Sequence, residues 1–465
     1  MNRRDFFKAA AAISVAGAVN SPVAGAEAPK KKNSIFPKIV RAGVKTRLCI
    51  DLADKSVLEN ELEIKFIPRN GLKMDGTRVD FYDFDVLPHE VIDGKIYIEH
   101  AFAGNQEHTF WVLKKGETNR LNNFALLHIY SLEESLYALT PMKGEFHMHS
   151  TTSDGKHSEA DMLLSCYRQG YDFAALGDHK MLFEWFGRPA GDPRNVRYGY
   201  EKQLAKKIAA APSSMAIFKA EEVHLDNGAH LHHFGGSEGI VEWVSNHAEE
   251  YAAEIERREA AFAGKFKIPT DAKCMAIADF VFDKAREFGG ISVFNHPTWT
   301  IAKHHSLSDE LARALFLSEK CDACEVANYS TENNMRALAW IAESAPMRRR
   351  RHVFVGNSDA HDKKEVGGAY TIVFAKSTSL GDVKAAILKG DCLAVDNHQK
   401  TKIILGRYEL VEYAYFLERE YYPELKRIRA AEADALEGVF CGAANADFGK
   451  KFTDMVARHK KACKA

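Results

Sequence analysis

Gly144-Glu145-Phe146-His147-Met148-His149-Ser150 is the stretch that decides how this chain is read. Side chains at i and i+2 of an extended strand share a face. His147 and His149 are therefore expected to point together at one ion, while Phe146 and Met148 pack outward against helices. Isolated histidines such as His89, His100, His108 and His128 carry no comparable signal. The pair is followed by Ser153-Asp154-Gly155, where the glycine permits a tight turn that returns Asp154 to the same mouth.

Working outward, residues 143–395 repeat a texture of short apolar run, polar residue and amphipathic helix. The runs 171–176, 216–220, 290–294, 323–327 and 352–355 are each followed within a few residues by His, Asp, Glu or Asn. This predicts a barrel of parallel strands with chemistry at the strands' C-terminal ends. Helices are expected over 159–170 and 277–288. The Glu-, Ala- and Arg-rich stretch 243–266 reads either as a cap over the mouth or as an ordinary outer helix. Ahead of the barrel, residues 27–140 alternate apolar and polar residues between Asn-Gly and Asp-Gly turns, with strands expected at 47–52, 62–67, 95–100 and 109–113; the reading is a β-sandwich-like domain. Residues 401–465 read as two helices, 408–425 and 427–436, and a basic, fraying end.

The ordered motifs resemble those of the polymerase-and-histidinol-phosphatase (PHP) metallohydrolases. His147-x-His149-Ser150 through Ser153-Asp154-Gly155 is similar to the opening motif. Gly177-Asp178-His179, Ala220-Glu221-Glu222-Val223, Ala229-His230-Leu231-His232, Asn295-His296-Pro297 and Gly356-Asn357-Ser358-Asp359-Ala360-His361 follow in the family's order. Gly177 stands where the family commonly has threonine, and Ala229 where it commonly has glycine; neither change removes a ligand. The resemblance implies an α/β fold, a distorted (β/α)7 barrel over 141–400. It also implies a ligand set of His147, His149, Asp154, His179, Glu222, His230, His296, Asp359 and His361. It would place His147, His149, Glu222 and Asp359 on one ion, Glu222, His230 and His296 on a second, and Asp154, His179 and His361 on a third. Glu222 is preferred to Glu221 because neighbours on a strand face opposite sides. His157, His224, His232 and His233 are read as supporting donors or as packing and solvated histidines.

Imidazole with carboxylate suits zinc, manganese or iron, and this many donors implies two or three divalent ions. The expected activity is hydrolysis of a small phosphomonoester or phosphodiester by metal-held hydroxide, with Asp359 and Lys180 in catalytic roles. Lys180, with Arg188, Arg194, Arg197, Trp185 and Phe186 in the loop after His179, is the candidate phosphate clamp; a solvated basic loop is the alternative. The β domain and the motif wording also resemble a branch that includes carbaryl- and carbamate-hydrolase-like enzymes, so carbamate or carboxylic ester cleavage is the second reading. A non-catalytic metal-binding or adhesion module is the third.

Bulk properties narrow the partners. A chain of 465 residues with formal net charge -1, 46% hydrophobic and 27% charged residues is that of a globular protein without a broad footprint for duplex nucleic acid. A small-molecule substrate is expected. Asn2-Arg3-Arg4-Asp5-Phe6-Phe7-Lys8, a mildly apolar stretch and Ala24-Gly25-Ala26 read as a twin-arginine signal over 1–26. That address implies the twin-arginine export machinery, a periplasmic or otherwise exported product, and no membrane span after its removal. The eight cysteines are too few for a disulfide scaffold, and the lone Cys321-x-x-Cys324 reads as structural thiols.

Overall fold

Alternating burial builds the first unit. In Thr46–Asp51 and Lys95–His100, which pair antiparallel, Leu48, Ile50, Ile96 and Ile98 turn inward. Ser34–Phe36 and Glu90–Ile92 complete a four-stranded sheet. A five-stranded sheet follows the order Ile39–Arg41, Ala125–Leu132, Gln106–Lys114, Leu62–Pro68, Asp85–Leu87. Ile50 and Ile98 of the first sheet share one core with Ile64, Phe66, Phe110 and Ile129 of the second, which makes the unit a sandwich. The structure is a computed structural model that describes residues 32–78, 84–182, 192–210, 213–225, 228–301, 304–440 and 448–465. The signal expected over 1–26 and Trp185, Phe186 and Arg188 of the loop lie outside the described residues.

The larger sheet runs in the order Phe354–Gly356, Ala323–Ala327, Ile291–Phe294, His230–Phe234, Ala216–His224, Phe173–Leu176, Thr140–Glu145, Ala369–Ala375, Cys392–Asp396, Ile403–Leu405. Its ends nearly meet. Gly356 N donates to Thr371 Oγ1 at 3.0 Å, and that hydroxyl donates to Gly356 O at 2.7 Å. Seven of these strands run one way: Thr140–Glu145, Phe173–Leu176, Ala216–His224, Ile291–Phe294, Ala323–Ala327, Phe354–Gly356 and Cys392–Asp396. The fold is thus the expected distorted α/β barrel, but the sheet is mixed rather than purely parallel. His230–Phe234, Ala369–Ala375 and Ile403–Leu405 run against the others. The chain between His224 and His230 is too short for a crossover, so that pair can only be a hairpin.

Helix Glu159–Arg168 starts at Ser158, whose side chain accepts from Asp161 N, an N-cap that satisfies one free donor of the first turn. The stretch 243–266 contributes to two helices, Ile240–Asn246 and Ala248–Phe262. The second packs on the outside of Thr270–Glu287, with Arg258 reaching Asp279 at 2.5 Å and Asp283 at 2.7 Å. It is an outer helix, and its side chains make no contact with the ligand cluster among the described residues.

Among the described residues the C-terminal part holds three helices, Tyr408–Glu420, Tyr422–Phe440 and Phe448–Cys463. The last corrects the expectation of a fraying end. Phe452, Val456 and Cys463 are buried at helical spacing, and Lys460 reaches the buried Asp172 at 2.6 Å, beside Arg429 at 3.0 Å. These helices join the sandwich to the barrel. Tyr130 of the sandwich packs its ring 4.8 Å from Tyr413 and 5.4 Å from Phe416, while Arg419 reaches Glu107 at 2.5 Å. Cys321 and Cys324 are buried and not disulfide-bonded. Among the described residues no helix is long and apolar enough to cross a membrane.

Candidate metal centre

The strand Thr140–Glu145 stops just short of the histidine pair, and three backbone bonds hold the next residues extended. His149 N donates to Ala360 O, Asp359 N to His147 O and Gly177 N to Met148 O. Phe146 and Met148 are fully buried in two different cores, so both imidazoles turn to the mouth, as the period of two requires. His147 Nε2 lies 3.1 Å from Glu222 Oε1 and 3.3 Å from Asp359 Oδ1. His149 Nε2 lies 2.8 Å from Asp359 Oδ1 and 3.7 Å from Glu222 Oε2. Asp359 adopts a left-handed backbone, φ +53°, which is uncommon for a residue with a Cβ and is found where a site imposes it.

Glu222 is the hub. It pairs in register with His179 on parallel strands, so both point to one face, and His179 Nδ1 lies 2.5 Å from Glu222 Oε2. His230 Nδ1 and His296 Nε2 stand 3.3 and 3.2 Å from Glu222 Oε1. Glu221 faces the other way, accepting from Ile240 N at 2.6 Å and from His233 at 2.9 Å. On the outer side of the mouth, Asp154 Oδ1 lies 3.5 Å from His179 and 3.3 Å from His361. All nine sequence-derived ligands thus converge at one barrel end.

Four overlapping sets bring donor atoms close enough to hold an ion: His149, Asp154, His179 and His361; His147, His149 and Asp359; His147, Glu222 and His296; and His179, Glu222 and His224. This grouping differs from the division among ions that the family resemblance implies: His149 joins the outer set, His147 stands with Glu222 and His296, His179 stands with Glu222 and His224, and His230 is in none of the four. His224 is readable by the same rule as the others, because it stands two residues after Glu222 on the same strand and therefore on the same face. His147 Nε2 and Glu222 Oε2 are buried, and although a carboxylate oxygen and an imidazole nitrogen stand at 3.1 and 2.5 Å from them, neither makes a well-directed hydrogen bond. Such atoms are costly unless something cationic lies between them, and imidazole with carboxylate is the donor set of a first-row divalent ion. The residues present fit metal.

Electrostatics follow from burial and mutual contact. Burial pushes Glu222 and Asp359 up, but the adjacent imidazoles, His147 foremost, hold both carboxyls well below the usual range. Burial, with His179 and His361 alongside, pushes His149 down to about 4. Burial also brings His230 to about 4. Both imidazoles are therefore neutral near pH 7, the form that ligates.

Several supporting side chains leave little signal in the sequence. Glu325, 1% exposed, accepts from His147 Nδ1 at 2.9 Å and from His296 N at 3.1 Å. Asp178 accepts from Ser150 N, Ser150 Oγ and Ser153 Oγ at 2.7 to 2.8 Å, pinning the turn that carries Asp154. Trp299 lies beside His230 and His296, with ring centroids 5.3 and 5.5 Å away. His157 pairs with Asp362 at 3.2 Å, His233 serves Glu221, and His232 is buried against His147 at 5.1 Å.

Lys180 is not brought to the cluster. It follows His179 on the strand and so faces the opposite side, where it is buried and donates to the Arg194 carbonyl. Arg194 pairs with Asp192 at 2.8 Å, and Arg197 with Glu159 at 2.5 Å and Thr152 at 3.2 Å. None of the three described cations reaches the ligands.

The PHP-associated family matches residues 331–392, which include Asp359 and His361. A segment of 55 residues is 44% identical to DNA polymerase/3'-5' exonuclease PolX of Bacillus subtilis (strain 168). Over these two segments the chain is similar to PHP-domain proteins. The PolX match covers 12% of this chain and spans about a tenth, 10%, of that relative's length. Among solved structures, a two-domain protein containing a predicted PHP-like metal-dependent phosphoesterase from Bacteroides vulgatus ATCC 8482 is 20% identical, with TM-score 0.38, over 60% of this chain and 70% of that one. A candidate metal-dependent phosphoesterase from Bifidobacterium adolescentis ATCC 15703 is 17% identical, with TM-score 0.30, over 48% of this chain and 88% of that one. Likenesses this distant say nothing about the substrate of this chain.

Proposed function

We propose that the protein is an exported metal-dependent hydrolase that cleaves a small phosphomonoester or phosphodiester. The observation that carries the reading is the buried carboxylate of Glu222 with six imidazoles around it, His147, His149, His179, His224, His230 and His296. Two or three divalent ions held by these side chains with Asp154, Asp359 and His361 would supply Lewis acidity and yield hydroxide from water near neutral pH. The chain's own part is placement. Glu325 accepts the Nδ1 proton of His147 and leaves its Nε2 lone pair toward Glu222 and Asp359. Asn295 Nδ2 donates to Glu222 Oε1 at 2.8 Å and fixes the hub's rotamer. Trp299 walls one side of the mouth.

Carbamate or carboxylic ester hydrolysis on the same centre is kept as the second reading because Lys180 faces away from it, and a neutral ester needs no cationic clamp. Protein loaded with Zn, Mn or Fe should be tried on p-nitrophenyl phosphate, bis-p-nitrophenyl phosphate and p-nitrophenyl acetate. The proposal expects turnover of a phosphoester that His296→Ala abolishes together with metal content. Turnover of the acetate alone would move the function to the second reading, and a folded protein that retains no metal would end both. For export, changing Arg3 and Arg4 together to Lys should hold the precursor in the cytoplasm; unchanged export would overturn the twin-arginine reading.

A further inference from the structure

A cleft of about 1480 Å³ opens at the barrel end opposite the metal centre. Its walls come from residues that precede the strands Phe354–Gly356 and Cys392–Asp396, whereas the ligands follow the far ends of the barrel strands. Leu338, Ile341, Val353 and Phe354 give it an apolar floor, and its rim carries Arg348, Arg349, Arg350 and Arg351 in succession.

Two features of the rim belong together. Arg349, Arg350 and Arg351 are exposed, and their guanidinium groups have no carboxylate partner among the described residues. By contrast, Lys389 and Arg407 share the carboxylate of Asp391, each at 2.7 Å. The nearby Glu319 directs its carboxylate to the backbone N–H groups of Arg349 and Arg350. Among these cations stand three large apolar side chains that face solvent: Met347 at 61% exposure, Leu388 at 52% and Tyr408 at 79%. A soluble anion has use for the guanidinium groups but not for protruding apolar side chains. An apolar protein partner has use for the reverse. Both together match an anionic phospholipid surface, where headgroups meet the cations and the apolar side chains enter the interface.

We propose that this end of the barrel docks on an anionic phospholipid membrane, which leaves the metal centre at the other end facing away from the bilayer. The inference does not depend on the substrate or on the hydrolytic reading. Each basic side chain near an anionic leaflet strengthens binding roughly fivefold, so loss of three should weaken it roughly a hundredfold.

The test is cosedimentation of the full chain with vesicles of phosphatidylcholine, alone or mixed with phosphatidylglycerol. Binding is expected to the mixed vesicles only, falling as salt is raised. A triple variant, Arg349→Gln, Arg350→Gln and Arg351→Gln, should lose roughly a hundredfold while its thermal melting and metal content stay those of the parent. The corresponding Arg→Lys triple variant should bind as the parent does, because the attraction is to point charges. Leu388→Ser with Tyr408→Ser should weaken binding at unchanged charge. Equal binding to neutral vesicles, or a Gln triple variant that binds like the parent, would overturn the proposal. So would displacement from vesicles by glycerol phosphate, which would mark a site for soluble anions, or a change in the free protein's oligomeric state on mutating the rim, which would mark a contact between copies.

Discussion

Glu325→Gln isolates the placement of His147 without removing any metal ligand. The wild-type carboxylate takes four donors on two oxygens. Oε1 accepts from His147 Nδ1 and Asn357 Nδ2, each at 2.9 Å. Oε2 accepts from His296 N at 3.1 Å and Asn328 Nδ2 at 2.7 Å. A glutamine has one acceptor end, so in either orientation its amide nitrogen faces two donors. Neither asparagine can flip to help, because Asn357 Oδ1 accepts from Phe146 N and Asn328 Oδ1 from Tyr329 N. Two contacts to a buried charge are lost, each worth about 1.5–3 kcal/mol, and roughly 3–6 kcal/mol of stability should go with them. If the amide nitrogen faces His147, the ring must accept at Nδ1 and carry its proton on Nε2, the atom that faces Glu222 and Asp359. Metal affinity should then fall roughly 10- to 100-fold. The assay is metal content after dialysis against graded chelator, together with a melting curve on the metal-stripped protein. A Glu325→Gln protein that holds metal and melts like the parent would refute both the tautomer argument and the count of donors.

Two further outcomes are expected. Lys180→Met should leave the ratio of kcat/KM on a phosphomonoester to that on a neutral ester within about threefold of wild type, since the ammonium faces away from the ligands; a selective loss on the phosphoester would restore the clamp. Burial pushes Glu107 up, yet the contacts to His128 and Arg419 hold it at about 2, below the ordinary 4.5. A carboxyl depressed by folding contributes stability that is present above pH 4.5 and is lost as pH falls toward 2. The melting temperature should therefore drop more steeply across that window in wild type than in Glu107→Gln, and parallel curves would show that the joint between sandwich and C-terminal helices does not titrate there.

The legible parts of the chain are those with a local period. Ile96 and Ile98, or His147 and His149, declare a face by alternation, and helices such as Glu159–Arg168 declare theirs by spacing. Ala369–Ala375 and Cys392–Asp396 are buried at every position, so their sequence shows no period by which either strand could be read. Phe448–Cys463 is hidden for a different reason. Its buried stripe is thin, and its lysines look solvated until Asp172, far away in sequence, supplies the partner of Lys460.

The same rule of alternation explains both what a reading of the site gains and what it loses. Applied to Glu221 and Glu222 it separates a structural carboxylate from the hub. Applied one residue beyond His179 it sends Lys180 to the opposite face, although proximity in sequence to a ligand makes that lysine look catalytic. Applied two residues beyond Glu222 it brings His224 into the cluster. The supports resist such local reading because each acts across the barrel. Glu325 reaches His147 over 178 positions of sequence, and Asp178 reaches back 28 positions to Ser150. An acidic residue inside an otherwise apolar strand, as in Ala323-Cys324-Glu325-Val326-Ala327, is the one local trace they leave. A carboxylate is kept at such a position only when buried donors converge on it, so in a barrel whose strand ends bear ligands it marks the side chain that orients them.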